Sequence, residues 1–260
     1  MKILCYQGTP YHSDINKNIE TVESTAKAAS ELGVDVLVFP ELFISGYNIG
    51  NAQLKQLAQP LDGNICSTLK RIAIEQSIAI VMGFPERKDE DIYNSAIAVD
   101  KDGTIVGHHR KVFLFGDQEK ALFVAGDNFS VFTLNGYQCG ISICYDIEFP
   151  ETTRNMAMQG VEVVFNPTAN MFPHTAVPKT LARARALENG VTVIYANLCG
   201  QEGNLRYTGL SAIISPEGED LARAGDQPAI LISDISSSIK ESASSTQLAD
   251  LKSASFIDSQ

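Results

Sequence analysis

Gly140-Ile141-Ser142-Ile143-Cys144-Tyr145-Asp146-Ile147-Glu148-Phe149-Pro150-Glu151 is the run on which the reading of this 260-residue chain turns. Before it, Tyr137, Cys139, Ile141 and Ile143 alternate with Gln138, Gly140 and Ser142 after an Asn135-Gly136 turn, so residues 137 to 143 read as a strand. After it, Pro150 and Glu151 stand in the first turn of a helix running to Gln159, a position that favours proline and an acid. Cys144 therefore falls where a buried strand gives way to a turn and a helix. Peptide N–H groups and the helix dipole at such a junction favour a thiolate, the form that attacks carbonyl carbon. A buried cysteine acting as a small hydrophobe fits the placement equally well, and the junction alone leaves both readings open.

The flanking sequence is an alternation of strands and helices. Residues 2 to 7 read as an apolar strand, and Ser13 or Asp14 caps a helix that Gly33 ends. Val36 to Pro40 is a continuous apolar strand of the kind buried on both faces, with Glu41 directly after it. A polar stretch from Asn51 to Pro60 precedes a helix from Ile65 to Ser77 and a strand from Ile78 to Phe84. Two hairpins follow, Tyr93 to His109 and Phe129 to Ile143, separated by His109-Arg110-Lys111 and a polar loop holding Glu119. Further buried strands fall at Val161 to Asn166 and Val191 to Ala196, with a helix from His174 to Asn189 between them, and antiparallel strands from Thr208 to Asp234 close the pattern. Roughly twelve strands and four helices suit a sandwich of two sheets flanked by helices better than one open sheet. Residues 1–235 read as one domain and 236–260, rich in Ser, Ala and charge, as a tail without core or an arm on a second subunit.

Composition narrows the function. The net charge is -11, which argues against a sequence-independent grip on nucleic acid and for small-molecule chemistry. No apolar run reaches the length of a membrane span, and Met1-Lys2-Ile3-Leu4-Cys5 enters a strand without signal-peptide regions, so a cytoplasmic protein is expected. The five cysteines, at positions 5, 66, 139, 144 and 199, make neither a disulfide framework nor a zinc spacing. No serine-hydrolase elbow, phosphate loop or His-Glu-x-x-His helix occurs.

Glu41, Lys111 and Cys144 share one arrangement: each follows an apolar strand and begins a loop or turn. Parallel alignment of those strands brings all three to one edge of the sheets, where ligand sites of α/β folds gather. Amide hydrolysis needs such a trio. A carboxylate takes the thiol proton as sulfur attacks, a lysine ammonium stabilises the oxyanion, and the Tyr145 peptide N–H is a second donor to it.

The stretches Phe39-Pro40-Glu41-Leu42, His109 to Phe115, and Cys144-Tyr145-Asp146 with Phe149-Pro150-Glu151 resemble the carbon-nitrogen hydrolase (nitrilase) superfamily over about residues 1 to 235. That resemblance implies a Glu-Lys-Cys triad of Glu41, Lys111 and Cys144 on a four-layer αββα sandwich of two mixed sheets. It implies no cofactor and no metal, and a homodimer or larger homo-oligomer. It also implies that Glu119 is a second glutamate holding the lysine; a solvated surface glutamate is the competing reading. Cys144-Tyr145-Asp146 is similar to the amidase branch. Pro167-Thr168-Ala169-Asn170-Met171 with Arg183 to Asn189 resembles bacterial amidases of aliphatic or chiral carboxamides, which would place Asn170 and Met171 in an acyl pocket, the Asn170 carbonyl receiving the substrate N–H. The activity implied is hydrolysis of a small carboxamide to acid and ammonia through a thioester; the same triad also serves nitrilases and N-carbamoyl amidases, and a catalytically silent relative that binds a metabolite is the rival of another class.

The remaining conspicuous residues have plainer readings. His108 and His109, at a strand end, read as surface or packing residues, and Asp146 beside a helix start as a cap. Tyr47 and Phe115 are candidates for the pocket wall, although aromatics near sheet edges are more often core. Arg183, Arg185 and Glu188 read as an ordinary helix ion-pair set.

Overall fold

The computed structural model describes residues 1–235 and 246–251. One sheet contains β1 (Lys2–Gln7), β2 (Val36–Val38), β3 (Ala79–Lys88), β4 (Asp91–Val99), β5 (Ile105–Arg110) and the late strand β14 (Ala229–Asp234), in the order β14-β1-β2-β3-β4-β5. The other contains β6 (Val131–Leu134), β7 (Tyr137–Ile141), β8 (Val163–Thr168), β9 (Thr192–Asn197), β12 (Ala212–Ile214) and β13 (Asp220–Arg223), in the order β13-β12-β9-β8-β7-β6. A small hairpin, β10 (Gln201–Glu202) and β11 (Leu205–Arg206), stands apart. Both sheets are mixed. β1, β2 and β3 are parallel, as are β7, β8 and β9, and every other pairing is antiparallel.

The period-2 alternation of each central strand explains the layers. Ile3, Val36, Val38 and Val81 from the first sheet meet Ile141, Val163, Phe165 and Ile194 from the second in an apolar layer between them. The alternate residues Leu4, Leu37 and Ile80 turn outward onto α1 (Ile15–Glu31) and α3 (Asn64–Gln76). Val164 and Val193 turn outward onto α5 (Pro150–Met158) and α6 (Ala182–Asn189). Buried on both faces, these strands are apolar through their middles, with polar residues confined to their ends, and the result is the expected αββα sandwich. Asp14 caps α1 by accepting the Lys17 N–H at 3.1 Å. Asn135 and Gly136 both take positive φ, 48° and 80°, as a tight β6–β7 turn requires.

Several local expectations are corrected. The polar stretch after Asn51 holds a short helix, α2 (Asn51–Leu57), which buries Leu54. The polar loop around Glu119 is also a helix, α4 (Gly116–Leu122). The strand expected to reach residue 143 ends at Ile141, and a 3-10 turn, Cys144–Glu148, intervenes before α5. The helix expected from His174 opens with a π turn, Val177–Leu181, ahead of α6. Most of the tail from 236 lies outside the described residues; within it, α7 (Thr246–Ala249) places Leu248 against the apolar cluster under α6, so this segment does contribute to packing. Among the described residues no helix is long and apolar enough to cross a membrane.

Two features aim the strand ends. Glu86, buried on β3, accepts from Ser95 Oγ at 2.6 Å on β4 and from Arg110 on β5, with His108 Nε2 at 2.7 Å. Burial works against this carboxylate, but His108, Arg110 and Ser95 hold it down at about 2, so His108, read from the sequence as a surface or packing residue, braces Glu86. Gly83 on β3 leaves room for the turn after β2: a Cβ there would lie 2.7 Å from the Leu42 nitrogen and 3.0 Å from Glu41 Cα. The Gly83→Ala variant should therefore shift Glu41, lowering stability by about 1–3 kcal/mol and lowering activity further than that loss explains. Thermal melting and steady-state kinetics at 25 °C check this; an unchanged midpoint and unchanged turnover would contradict it.

Candidate active site

β5 runs in the same direction as β2, since β2 and β3 are parallel and two antiparallel steps separate β3 from β5. The turn bearing Glu41 and the residue Lys111 therefore leave the first sheet at one edge. Lys111 stays in register there, its N–H donating to Asn94 O at 2.8 Å. The Glu41 N–H donates across to Thr168 O at 3.4 Å, joining this turn to the carboxyl end of β8 in the other sheet. The expected convergence of strand ends is what the topology produces.

Lys111 Nζ donates to Glu41 Oε1 and to Glu119 Oε1, each at 2.7 Å. All three residues are buried. Glu119 reaches back to accept the Phe115 N–H at 2.7 Å through Oε2 and takes the Tyr47 hydroxyl at 2.7 Å on Oε1. Glu41 Oε1 also accepts Asn94 Nδ2 at 2.7 Å, whereas Glu41 Oε2 is buried with no hydrogen-bond partner among the described residues. Burial opposes the ammonium, but Glu119 and Glu41 outweigh it and hold the Lys111 pKa well above its ordinary value. For Glu41 burial wins over Lys111, and its pKa is raised. The surface reading of Glu119 does not survive, because only 3% of it is exposed.

Cys144 opens the 3-10 turn with φ 47°, a left-handed conformation that costs a non-glycine residue of order 1–3 kcal/mol. Its surroundings hold that strain. The Ser142 N–H donates to Phe165 O at 3.0 Å, Asn166 Nδ2 donates to Ser142 O at 3.1 Å, and Asp146 Oδ2 accepts the Ile143 N–H at 2.9 Å. The first bond within the turn runs from Asp146 N–H to Ile143 O, which leaves the Tyr145 N–H ahead of it without an acceptor in the turn. Cys144 lies within electrostatic reach of Glu41 and Lys111. Contrary to the expectation of a helix-stabilised thiolate, burial pushes the Cys144 pKa up and Glu41 adds to it, with Lys111, the Thr168 side chain and the Ala169 N–H only partly offsetting them. Raised in this way, the Cys144 thiol holds its proton more tightly than a free one, and that proton needs an acceptor when sulfur attacks.

Asp146 does more than cap. Its Oδ1 accepts the Val112 and Phe113 N–H groups at 3.1 and 2.8 Å, and Oδ2 lies 2.9 Å from Nε2 of the buried His109. One carboxylate thus ties the cysteine turn to the segment that follows Lys111. Arg185 likewise exceeds the helix ion pair expected of it: besides Glu188 at 2.9 Å, it donates to the Ile147 and Glu148 carbonyls at 2.9 and 2.7 Å. Arg183 pairs with Asp220. A third brace, absent from the sequence reading, is Glu202. Buried on β10, it accepts the Tyr47 and Asn48 N–H groups at 3.2 and 2.7 Å and the Tyr207 hydroxyl, holding the loop that carries Glu41 and Tyr47. The capped N–H groups lie more than 150 residues away in sequence, so no local pattern points to it.

Of the expected pocket residues, Tyr47 is a support for Glu119, its ring edge-on to Tyr207 at 6.4 Å. Phe115 stands edge-on to both Tyr145 (5.3 Å) and His174 (5.7 Å), forming an aromatic wall near Cys144. Asn170 is buried, and its carbonyl already accepts Thr208 N–H at 3.0 Å, Asn197 Nδ2 at 3.2 Å and Thr208 Oγ1 at 3.2 Å. That carbonyl has no lone pair left for a substrate amide, which corrects the role expected of it. Met171 is buried, and it bridges to Tyr207. Among the described residues no cluster of His, Cys, Asp and Glu could hold a metal ion.

A family model described as Carbon-nitrogen hydrolase matches residues 2–243. The Pseudomonas protegens protein called "Hydrolase in pqqF 5'region" is 42% identical over 234 residues, covering 89% of this chain and 81% of the relative. An "(R)-stereoselective amidase" from Pseudomonas sp. is 37% identical over 227 residues, 86% of this chain and 81% of the relative. Among solved structures, an amidase from Nesterenkonia sp. AN1 superposes with a TM-score of 0.86 at 32% identity over 99% of both chains, in a form where acrylamide has undergone Michael addition at its active-site cysteine. Another structure of that amidase carries the acetamide moiety of fluoroacetamide covalently on the same cysteine. This chain belongs to the carbon-nitrogen hydrolase family and is a hydrolase acting on carbon–nitrogen bonds.

Proposed function

We propose that the protein hydrolyses a small carboxamide to its carboxylic acid and ammonia through a thioester on Cys144. The observation that carries this reading is the division of labour on Glu41. Oε1 is engaged by Lys111 and Asn94, and Oε2 is buried and unpartnered among the described residues. A raised carboxylate with one open oxygen, beside a thiol that must lose its proton, is a general base awaiting its substrate.

The sequence of bonds follows from those groups. Cys144 Sγ forms a bond to the amide carbon while its proton passes to Glu41 Oε2. The resulting oxyanion is stabilised by the Lys111 ammonium, kept charged by its two carboxylates, and by the Tyr145 N–H. Glu41 returns the proton to the amide nitrogen, the C–N bond breaks, and ammonia leaves. Water then attacks the thioester with Glu41 again as base, the C–S bond breaks, and the proton returns to sulfur. Glu119 acts through Lys111, holding its ammonium at 2.7 Å.

Cys144→Ala should reduce ammonia release to the uncatalysed level with the melting midpoint kept. Glu41→Gln preserves an acceptor for Lys111 and Asn94 but removes the base, and should lower kcat/KM by about 10²–10⁴. Full turnover in either variant would end the proposal. Assays of ammonia and carbon dioxide from matched amide, nitrile and N-carbamoyl compounds separate the reactions open to this triad: carboxamide hydrolysis gives ammonia alone and proceeds fastest.

The pH profile has a defined sign. Glu41 works as the carboxylate, and burial raises its pKa above 4.5, so activity should fall on acidification through a limb lying above 4.5. A kcat/KM profile whose acid limb lies at or below that value would contradict the assignment of Glu41 as the base.

A further inference from the structure

A 3-10 turn brings residues three apart into line, so in Cys144–Glu148 the side chain of Glu148 shares a face with Tyr145. That face looks onto the aromatic wall: Tyr145 meets Phe115 at 5.3 Å, and Phe115 meets His174 at 5.7 Å. Glu148 is half-buried there, and among the described residues nothing donates a hydrogen bond to its carboxylate. Burial raises its pKa, with His174, Lys111 and Arg185 acting in the opposite sense, which puts Glu148 within electrostatic reach of all three.

None of those groups is available to an anionic ligand on the same terms. Lys111 already faces two carboxylates at 2.7 Å. Arg185 is engaged by two carbonyls and Glu188. His174 packs its ring against Phe115. Lys111 is taken up by Glu41 and Glu119, and Arg185 by its carbonyls and Glu188, so among the described residues no cation is held against the Glu148 carboxylate by a hydrogen bond. A half-buried carboxylate with no donor of its own is a site for a positive group and a barrier to a negative one.

We propose that Glu148 selects the acyl group by charge, favouring carboxamides that carry a protonated amine at the far end, accepting neutral alkyl chains, and rejecting chains that end in a carboxylate. The proposal rests on the amidase reading and deepens it by naming the substrate class. Glu148 is a specificity residue: it makes no bond to the reacting atoms and acts on the remote part of the substrate.

The test uses three amides of matched length: 4-aminobutanamide, pentanamide and glutaramate. In the native protein kcat/KM should fall in that order, by about fivefold at each step, the size of one partly solvated charge contact. Glu148→Gln, which keeps the shape and removes the charge, should bring the three within about threefold of one another, and Glu148→Lys should invert the order. Glutaramate turned over as well as 4-aminobutanamide, or a spread unchanged in Glu148→Gln, would overturn the proposal. A second measurement needs no turnover: butylammonium should protect Cys144 from iodoacetamide at lower concentration than butyrate, and equal protection would overturn the proposal. If none of the three amides is hydrolysed while that protection order persists, the amidase reading fails and charge selection stands.

Discussion

A lysine ammonium with no exposed surface is the constraint that the rest of the site is built to satisfy. Taking such a charge out of water costs several kcal/mol even after relaxation, and it is tolerated only where opposite charges and hydrogen bonds fill its coordination. Lys111 has two carboxylates at 2.7 Å, and each of these is in turn held. Asn94 fixes Glu41, while Tyr47 and the Phe115 N–H fix Glu119. The same arrangement leaves one open carboxylate oxygen near the thiol. The groups that make the buried charge bearable are the groups that can move a proton.

Holding those groups in place takes two further buried carboxylates that touch none of the three. Asp146 gathers the Ile143, Val112 and Phe113 N–H groups, so the strained cysteine turn and the chain beyond Lys111 move as one piece. Glu202 gathers the Tyr47 and Asn48 N–H groups and fixes the loop beyond Glu41. Each spans elements far apart in sequence. Through them the two sheets, packed on an apolar layer that has no directional preference of its own, acquire a defined register at the edge where Glu41, Lys111 and Cys144 gather.

The central strands were legible in the sequence because burial on both faces leaves an unbroken apolar run, as in Val36–Val38 and Val163 to Phe165, bounded by turn residues. Glu41, Lys111 and Cys144 were legible for a related reason: a polar side chain at the end of such a run has to be at a sheet edge. What escaped was set by tertiary contact. Asn51–Leu57 looks polar because one buried leucine is its main anchor. Glu119 sits among charged neighbours, and only the buried lysine from another element distinguishes it. The Asn170 carbonyl is claimed by Thr208 and Asn197, partners that no local pattern announces. The thiolate expected from the strand-to-helix junction was outweighed by burial, which favours the neutral thiol.

The proposed chemistry requires that the acyl group pass through sulfur. Rapid acid quench of the native protein during turnover of butyramide, followed by intact and peptide mass measurement, addresses this directly. The result predicted is a transient adduct equal to the amide less ammonia, confined to the peptide that contains Cys144 and discharged by hydroxylamine. Steady hydrolysis with no adduct at any quench time, or an adduct on another residue, would contradict it.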